Sequence, residues 1–416
     1  MSPKRSLALL VLVLAVPACK QDGATQASIA APSAAVETPA QVDPADREIA
    51  ELAAKSDSWV LEQLGGERVV LDGQTLDLRM QYLLRKGHEA EDAGGAEAQP
   101  EQEAIDYFGP EHAAATRQGA NQDWIRKTKP GPELAAVHDE QVTARAGHSI
   151  PVRIYRPAAS GKLPILVYYH GGGWLFGNSD AIDRTMRRLA DEATVIIASV
   201  DYRLAPEHPY PDAWEDAEDA FAWTVANADR LEGDKSRICV GGDSAGGNLS
   251  IAVTTRTQRA GTPGPACQLL YYAAVDNRPV SQMREDYVSA RLFWNGFGLD
   301  EWFTDYVHQR VFPGHKDLSQ PEISPLFADN IAKMPPTLVA AAGFDPLRDS
   351  DRAYAEALKK AGVKTVYLEY SALPHGFLQH TAITEEADRA ASESAREFAK
   401  LVAGLQPGHD GAAAAE

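Results

Sequence analysis

From about Glu140 to Val402 the chain alternates short apolar runs with helix-patterned stretches, and this alternation limits the fold more than any other feature. Gln141–Arg145 and Ile150–Tyr155 read as an antiparallel opening pair. Ile165–Tyr169, Val195–Val200, Ile238–Val240, Ala266–Ala274, Thr337–Ala342 and Val363–Tyr370 read as the strands that follow. Between and after them, Asp183–Ala193, Ala213–Asn227, Asn248–Ala260, Ser350–Ala361 and Thr384–Val402 carry helical patterns. Strand and helix in turn over this length predict an α/β fold, a mostly parallel central sheet with helices on both faces. The alternation breaks once, from Asp276 to about Phe327, where mixed aromatic and polar residues are inserted before the sheet resumes.

The ends of these strands carry the residues suited to chemistry. Directly behind Ile238–Val240 stands Gly242-Asp243-Ser244-Ala245-Gly246, a G-x-S-x-G pentapeptide in which small neighbours let a serine sit exposed on a strained turn. A serine hydroxyl is a poor nucleophile at neutral pH, so Ser244 requires a base within hydrogen-bond reach and an acid to orient that base. Two later strands end in residues of those types, in the order Ser, acid, His. Asp345 follows Thr337–Ala342, and His375 follows Val363–Tyr370. Asp349 and Asp351 compete with Asp345 but open the next helix, where acidic residues complement the dipole. His380 competes with His375 from a turn further on.

Behind Ile165–Tyr169 comes His170-Gly171-Gly172-Gly173-Trp174. Attack on a carbonyl creates an oxyanion that preorganised N–H groups must meet, and glycine lets the backbone approach closely. Gly172 and Gly173 are the donors expected from this loop, with Ala245 as a third. His170 and Gly171 are expected to support the loop.

These motifs, with Asp201–Pro211, Asn248-Leu249, Pro346–Asp349 and His375-Gly376-Phe377, resemble those of the hormone-sensitive-lipase-like (bacterial family IV) carboxylesterases of the α/β-hydrolase superfamily. Asp243 before the serine matches the branch with aspartate there. The resemblance spans roughly Glu140 to Val402. It implies an α/β-hydrolase fold and a serine esterase acting on short- to medium-chain esters, with no cofactor and no metal. It also implies a helical cap built from the N-terminal helices and the insertion at 276–327. Trp174, Asp243, Phe293, Trp294 and Phe297 are candidate pocket residues, as are Trp302, Phe303 and Tyr306, although aromatics so spaced also serve plain cap packing. An amidase, arylformamidase or lactonase would use the same triad, and a non-catalytic ligand-binding protein could share the scaffold. An intact Ser, Asp and His set speaks against the last. Neither the natural substrate nor the oligomeric state is set by the sequence.

The chain's ends follow other rules. Lys4 and Arg5 precede an apolar run, Leu7–Val16, too short to span a bilayer, and Val16-Pro17-Ala18-Cys19 then resembles a bacterial lipoprotein box. Residues 1–19 are therefore read as an export signal with Cys19 as the lipidated residue, which would attach the protein to the cell-envelope membrane. Simple cleavage near Ala18, giving a periplasmic or secreted protein, is the alternative. Residues 20–43 have a linker composition, 44–139 form an N-terminal helical and cap segment, 140–403 the catalytic domain and 404–416 a flexible tail. Within 44–139 a helix is expected from near Asp43 to Gly65, a second at Leu76–Leu84, and a solvated loop at Gly87–Gln102. A net charge of −19 argues against a nucleic-acid partner. Three cysteines make no disulfide framework, and Cys239 and Cys267, in apolar runs, are expected as buried free thiols, a bridge being permitted but not demanded.

Overall fold

In a computed structural model of the chain, residues 44–93 and 107–405 are described. The signal and linker at 1–43, with Cys19, lie outside the described residues, as do 94–106 and the tail from 406.

Eight strands form one sheet: β1 (Ala136–Thr143), β2 (Ser149–Arg156), β3 (Leu163–Tyr169), β4 (Ile196–Val200), β5 (Gly233–Asp243), β6 (Gln268–Tyr271), β7 (Thr337–Phe344) and β8 (Thr365–Pro374). Their order across the sheet is β8-β7-β6-β5-β3-β4-β2-β1. β1 pairs antiparallel with β2, and β2 with β4; every other pairing is parallel. Because successive strand residues face opposite sides, each central strand feeds two cores. Ile165, Val167 and Tyr169 of β3 pack with Trp214 and Phe221 of α6 (Asp212–Asn227) and Leu249 and Val253 of α7 (Ala245–Ala260). Leu166 and Tyr168 pack on the other side, with Met186 and Leu189 of α5 (Ser179–Ala193) and Ala391 and Phe398 of α12 (Glu385–Ala403). Helix α11 (Arg348–Lys360) buries Tyr354, Ala355 and Leu358 against Leu270 and Val339.

The structure corrects several expectations. Cys239 and Cys267 are joined in a disulfide rather than free. The register sets Val240 beside Gln268, so the residues just before them stand side by side on neighbouring strands. The first strand begins at Ala136, so a domain boundary at 140 would cut it. The helix expected up to Gly65 is two, α1 (Pro44–Ala54) and α2 (Asp57–Gln63), because the Ser56 side chain caps the second by accepting from the Trp59 N–H. Helix α3 runs over Leu78–Ala93, so Gly87–Ala93, expected as loop, is helical. A further helix, α4 (Ala113–Lys127), precedes the sheet. The insertion contributes α8 (Val280–Asp286), α9 (Val288–Phe293) and α10 (Glu301–Val311).

The N-terminal segment is docked, not separate. A two-residue hairpin pairs Val70–Leu71 with Gln74–Thr75, and the Asp77 N–H just beyond it donates to Ala372 O on β8 at 2.8 Å. From its turn, Asp72 accepts a 2.6 Å bond from the buried Arg348, three residues beyond Asp345.

Candidate active site

Parallel strands deliver their carboxyl ends to one edge of the sheet, and the residues singled out above meet there. Ser244 joins β5 to α7 with φ 54° and ψ −115°. That left-handed turn is held by its own backbone, with the Ser244 N–H on Tyr271 O at 2.9 Å and the Ala274 N–H on Ser244 O at 3.0 Å. The flanking glycines are required sterically. A Cβ on Gly246 would lie 1.8 Å from Tyr169 O, and one on Gly242 2.3 Å from the Gly246 carbonyl carbon.

His375 Nε2 lies 3.0 Å from Ser244 Oγ, and His375 Nδ1 lies 2.7 Å from Asp345 Oδ2. Asp345 is fully buried, and its other oxygen accepts the Leu347 N–H at 2.8 Å. The rival groups are engaged elsewhere. Asp349 accepts from the Ser289 N–H and from Arg348, and His380 Nδ1 donates to Gly376 O at 3.0 Å. Asp351 is buried in α11, where burial, with Asp345 nearby, pushes its carboxyl far above the usual range.

The glycine loop folds over the same point. Gly172 and Gly173 have φ of 104° and 60°, and a Cβ on Gly172 would meet Phe176 O at 2.2 Å. Ala245 opens α7, so its N–H has no intrahelical acceptor. All three line one cavity with Ser244 and His375. Asp243 ties the loop to the serine turn: one oxygen accepts the Gly171 N–H at 3.0 Å and the Tyr168 hydroxyl at 2.9 Å, the other the Gln379 amide at 3.3 Å. Burial holds its pKa above the usual carboxylate range, although these donors pull against it. His170 is buried behind the loop, its Nδ1 donating to Gly171 O at 2.7 Å, with Tyr202 stacked on its ring at 4.3 Å and donating its hydroxyl to His170 O. Burial pushes the imidazole down to about 4.

A sequence profile of the alpha/beta hydrolase fold matches residues 166–379. The chain belongs to that family, in its hormone-sensitive-lipase-like branch. This hydrolase is 39% identical over 320 residues to the carboxylic ester hydrolase LipN of Mycobacterium tuberculosis, covering 75% of this chain and 80% of that one. It is 34% identical over 266 residues to an ethyl acetate hydrolase of Pseudomonas putida, covering 62% of this chain and 80% of the relative. Among solved structures, an ester hydrolase from the metagenome of Lake Arreo, complexed with a bipyridine phosphonate derivative, superposes with a TM-score of 0.70 at 35% identity, over 78% of this chain and 98% of its own. A hyperthermophilic esterase from Pyrobaculum calidifontis gives 0.66 at 32%, over the same shares.

The hydrolase's cavity measures about 200 Å³ and is lined mostly by apolar surface. Trp174, Asp243, Trp294 and Phe303 are in its wall; Phe293 and Phe297, expected there, are not. Phe293 ends α9 pointing into the seam above β7, where it packs on Phe297 at 5.4 Å, Phe344 at 5.2 Å and the Arg348 guanidinium. Trp302 and Tyr306 also lie outside the lining, and the Tyr306 hydroxyl accepts the Phe108 N–H at 3.3 Å. Sequence reasoning missed Met80, Leu83, Leu84 and Gly87 of α3, Trp124 and Lys127 of α4, and Asn277 and His308. The α3 residues recur at helical spacing and so announced a buried face; nothing in the sequence said that the face borders a cavity.

Proposed function

We propose that the chain is a serine carboxylesterase that hydrolyses short- to medium-chain esters through an acyl-enzyme on Ser244. The observation that carries this reading is the hydrogen-bonded line Asp345–His375–Ser244, with its steps of 2.7 and 3.0 Å. His375 takes the hydroxyl proton as Ser244 Oγ bonds to the carbonyl carbon. The oxyanion that results meets the N–H groups of Gly172, Gly173 and Ala245. His375 then passes its proton to the departing alkoxide, the C–O bond breaks, and the acyl group stays on Ser244. Water, deprotonated by the same imidazole, repeats the sequence to release acid. Asp345 holds the tautomer and stabilises the imidazolium without taking the proton. Relatives named as carboxylic ester hydrolases agree with the reaction class. A p-nitrophenyl ester assay tests it: Ser244→Ala is expected to lower kcat by at least about 10⁴-fold with the fold unchanged, and retained turnover would refute the role. A fluorophosphonate probe should label wild type and not the variant.

We also propose export, with Cys19 lipidated and the domain held at the cell envelope. Two independent features support it: the signal pattern at 1–19 and the buried Cys239–Cys267 bridge, since such bonds persist in oxidising compartments. Mass spectrometry of the mature protein should find a diacylglyceryl-modified Cys19 at its start; any other first residue removes the anchor from the proposal.

A further inference from the structure

Strand β8 reaches His375 by a detour. Its register on β7 sets Tyr370 opposite Ala342 and Pro374 opposite Phe344, so β8 spends Ser371, Ala372 and Leu373 where β7 spends Gly343 alone. Such a bulge bends the strand, re-aims the side chain beyond it and takes backbone groups out of the ladder. His375 follows directly, so its aim at Ser244 depends on the bulge keeping its shape. The carbonyls released there need other partners.

The N-terminal hairpin at 70–75 and the residues just after it supply them. Gln74 donates its amide nitrogen to Ser371 O at 2.8 Å, and the Asp77 N–H reaches Ala372 O at 2.8 Å. The amide oxygen of Gln74 accepts from Arg348 Nη1 at 2.9 Å, so both ends of that amide meet complementary groups. Arg348 also donates to Gly343 O at 3.3 Å and to Asp72 at 2.6 Å, and its backbone N–H donates to Asp345 O at 3.1 Å. One side chain thus joins the bulge that precedes the base to the arginine that follows the acid. It is wedged there: a Cβ on Gly343 would lie 2.3 Å from the Gln74 amide and 2.5 Å from Ser371 Cα. The wedge has a firm footing. The Asp77 carboxylate accepts from the Arg79 and Met80 N–H groups at the head of α3 and from the Thr384 hydroxyl at the head of α12. No residue of the hairpin lines the cavity.

We propose that Gln74, backed by Asp72 through Arg348, is a positioning residue for the acid–base pair: it holds the β8 bulge in the shape that keeps His375 in line between Asp345 and Ser244. This role rests on the esterase reading. It makes the geometry of catalysis depend on a segment that lies outside the profile match at 166–379.

The test compares wild type, Gln74→Ala and Gln74→Glu by Tm and by kcat and KM on a p-nitrophenyl ester, with active sites counted by exhaustive fluorophosphonate labelling. Gln74→Ala removes both bonds. Gln74→Glu keeps the acceptor for Arg348 but turns a carboxylate oxygen toward Ser371 O, where a donor is needed. Both variants are expected to lower kcat per labelled site about tenfold or more with KM within about twofold, since the base is displaced while the cavity is untouched. Gln74→Glu should do so at a Tm close to wild type, because its bond to Arg348 persists. A hairpin that only stabilises the fold would give the opposite pattern, a lower Tm for Gln74→Ala and wild-type kcat per labelled site in both. That pattern, or a raised KM at unchanged kcat, overturns the positioning role; should Gln74→Ala not fold, Gln74→Glu decides. Wild type that neither turns over esters nor takes the label removes the esterase reading and this role together, whereas active wild type with unchanged variants removes this role alone.

Discussion

Gly246 shows how little freedom the serine turn leaves at the residue scale. A methyl group there would stand 1.8 Å from Tyr169 O, which is backbone of a buried strand and cannot yield. Gly246→Ala is expected to cost about 3 kcal/mol or more and to abolish esterase activity, both read from urea unfolding and a p-nitrophenyl ester assay on one preparation; a variant of native stability would contradict the close approach. The small residues of this turn were legible in the sequence because their spacing is local. The grip of Asp243 on the Gly171 N–H was not. It depends on β3 and β5 being neighbours, with Tyr169 opposite Gly242, and strand order is not written in any one segment. Phe293 and Phe297 misled for a related reason: the apolar surface that a buried aromatic fills is decided by neighbours distant in the chain.

At the scale of elements, the bridge between β5 and β6 is the clearest case. Both strands were visible as apolar runs, yet their cysteines read as separate thiols until the parallel register set them side by side. The bond closes a loop across a sequence separation of 28 that contains Ser244 and all of α7. Loop-closure entropy assigns such a link roughly 3.5 kcal/mol. Cys239→Ser, or thermal unfolding in a reductant, should therefore lower the Tm by several degrees relative to oxidised wild type. An unchanged Tm would mean that the thiols are free. The hairpin at 70–75 makes the same point about legibility. Two-residue strands carry no periodicity, so neither the hairpin nor the Asp72–Arg348 bond could be read ahead of the structure.

Over the whole molecule, buried titratable groups set the response to pH. His170, His308 and His380 are each pushed by burial to about 4, against 6.5 for a free imidazole. Between those values the unfolded chain binds more protons than the folded one, so their contribution is complete above about 6.5 and is lost as the pH falls toward 4. Asp201 opposes them. Burial raises it to about 6 from 3.8, though Ser179 donates to it through both backbone and hydroxyl, and its contribution is present below 3.8 and lost as pH rises through 6. Buried Asp351, pushed far above its usual range, and Asp243, raised by burial, act in the same sense as Asp201, so three histidines stand against three carboxyls and much of the pH dependence cancels. Stability should therefore change by less than about 1.4 kcal/mol per pH unit between pH 6.5 and pH 5, read from denaturation midpoints; a steeper loss on acidification would show that the buried carboxyls do not oppose the histidines.

Much of the cavity wall comes from stretches of chain other than those that hold the groups over Ser244. The loops that follow the sheet strands hold Ser244, Asp345, His375 and the glycine loop, whereas α3, α4 and the insertion supply Met80, Leu83, Trp124, Trp294 and His308. A chain divided this way can change its diet without relearning how to chew. Grafting residues 78–127 and 276–327 from one relative onto the sheet of another would transplant most of the appetite, with Trp174 and Phe176 left to the host.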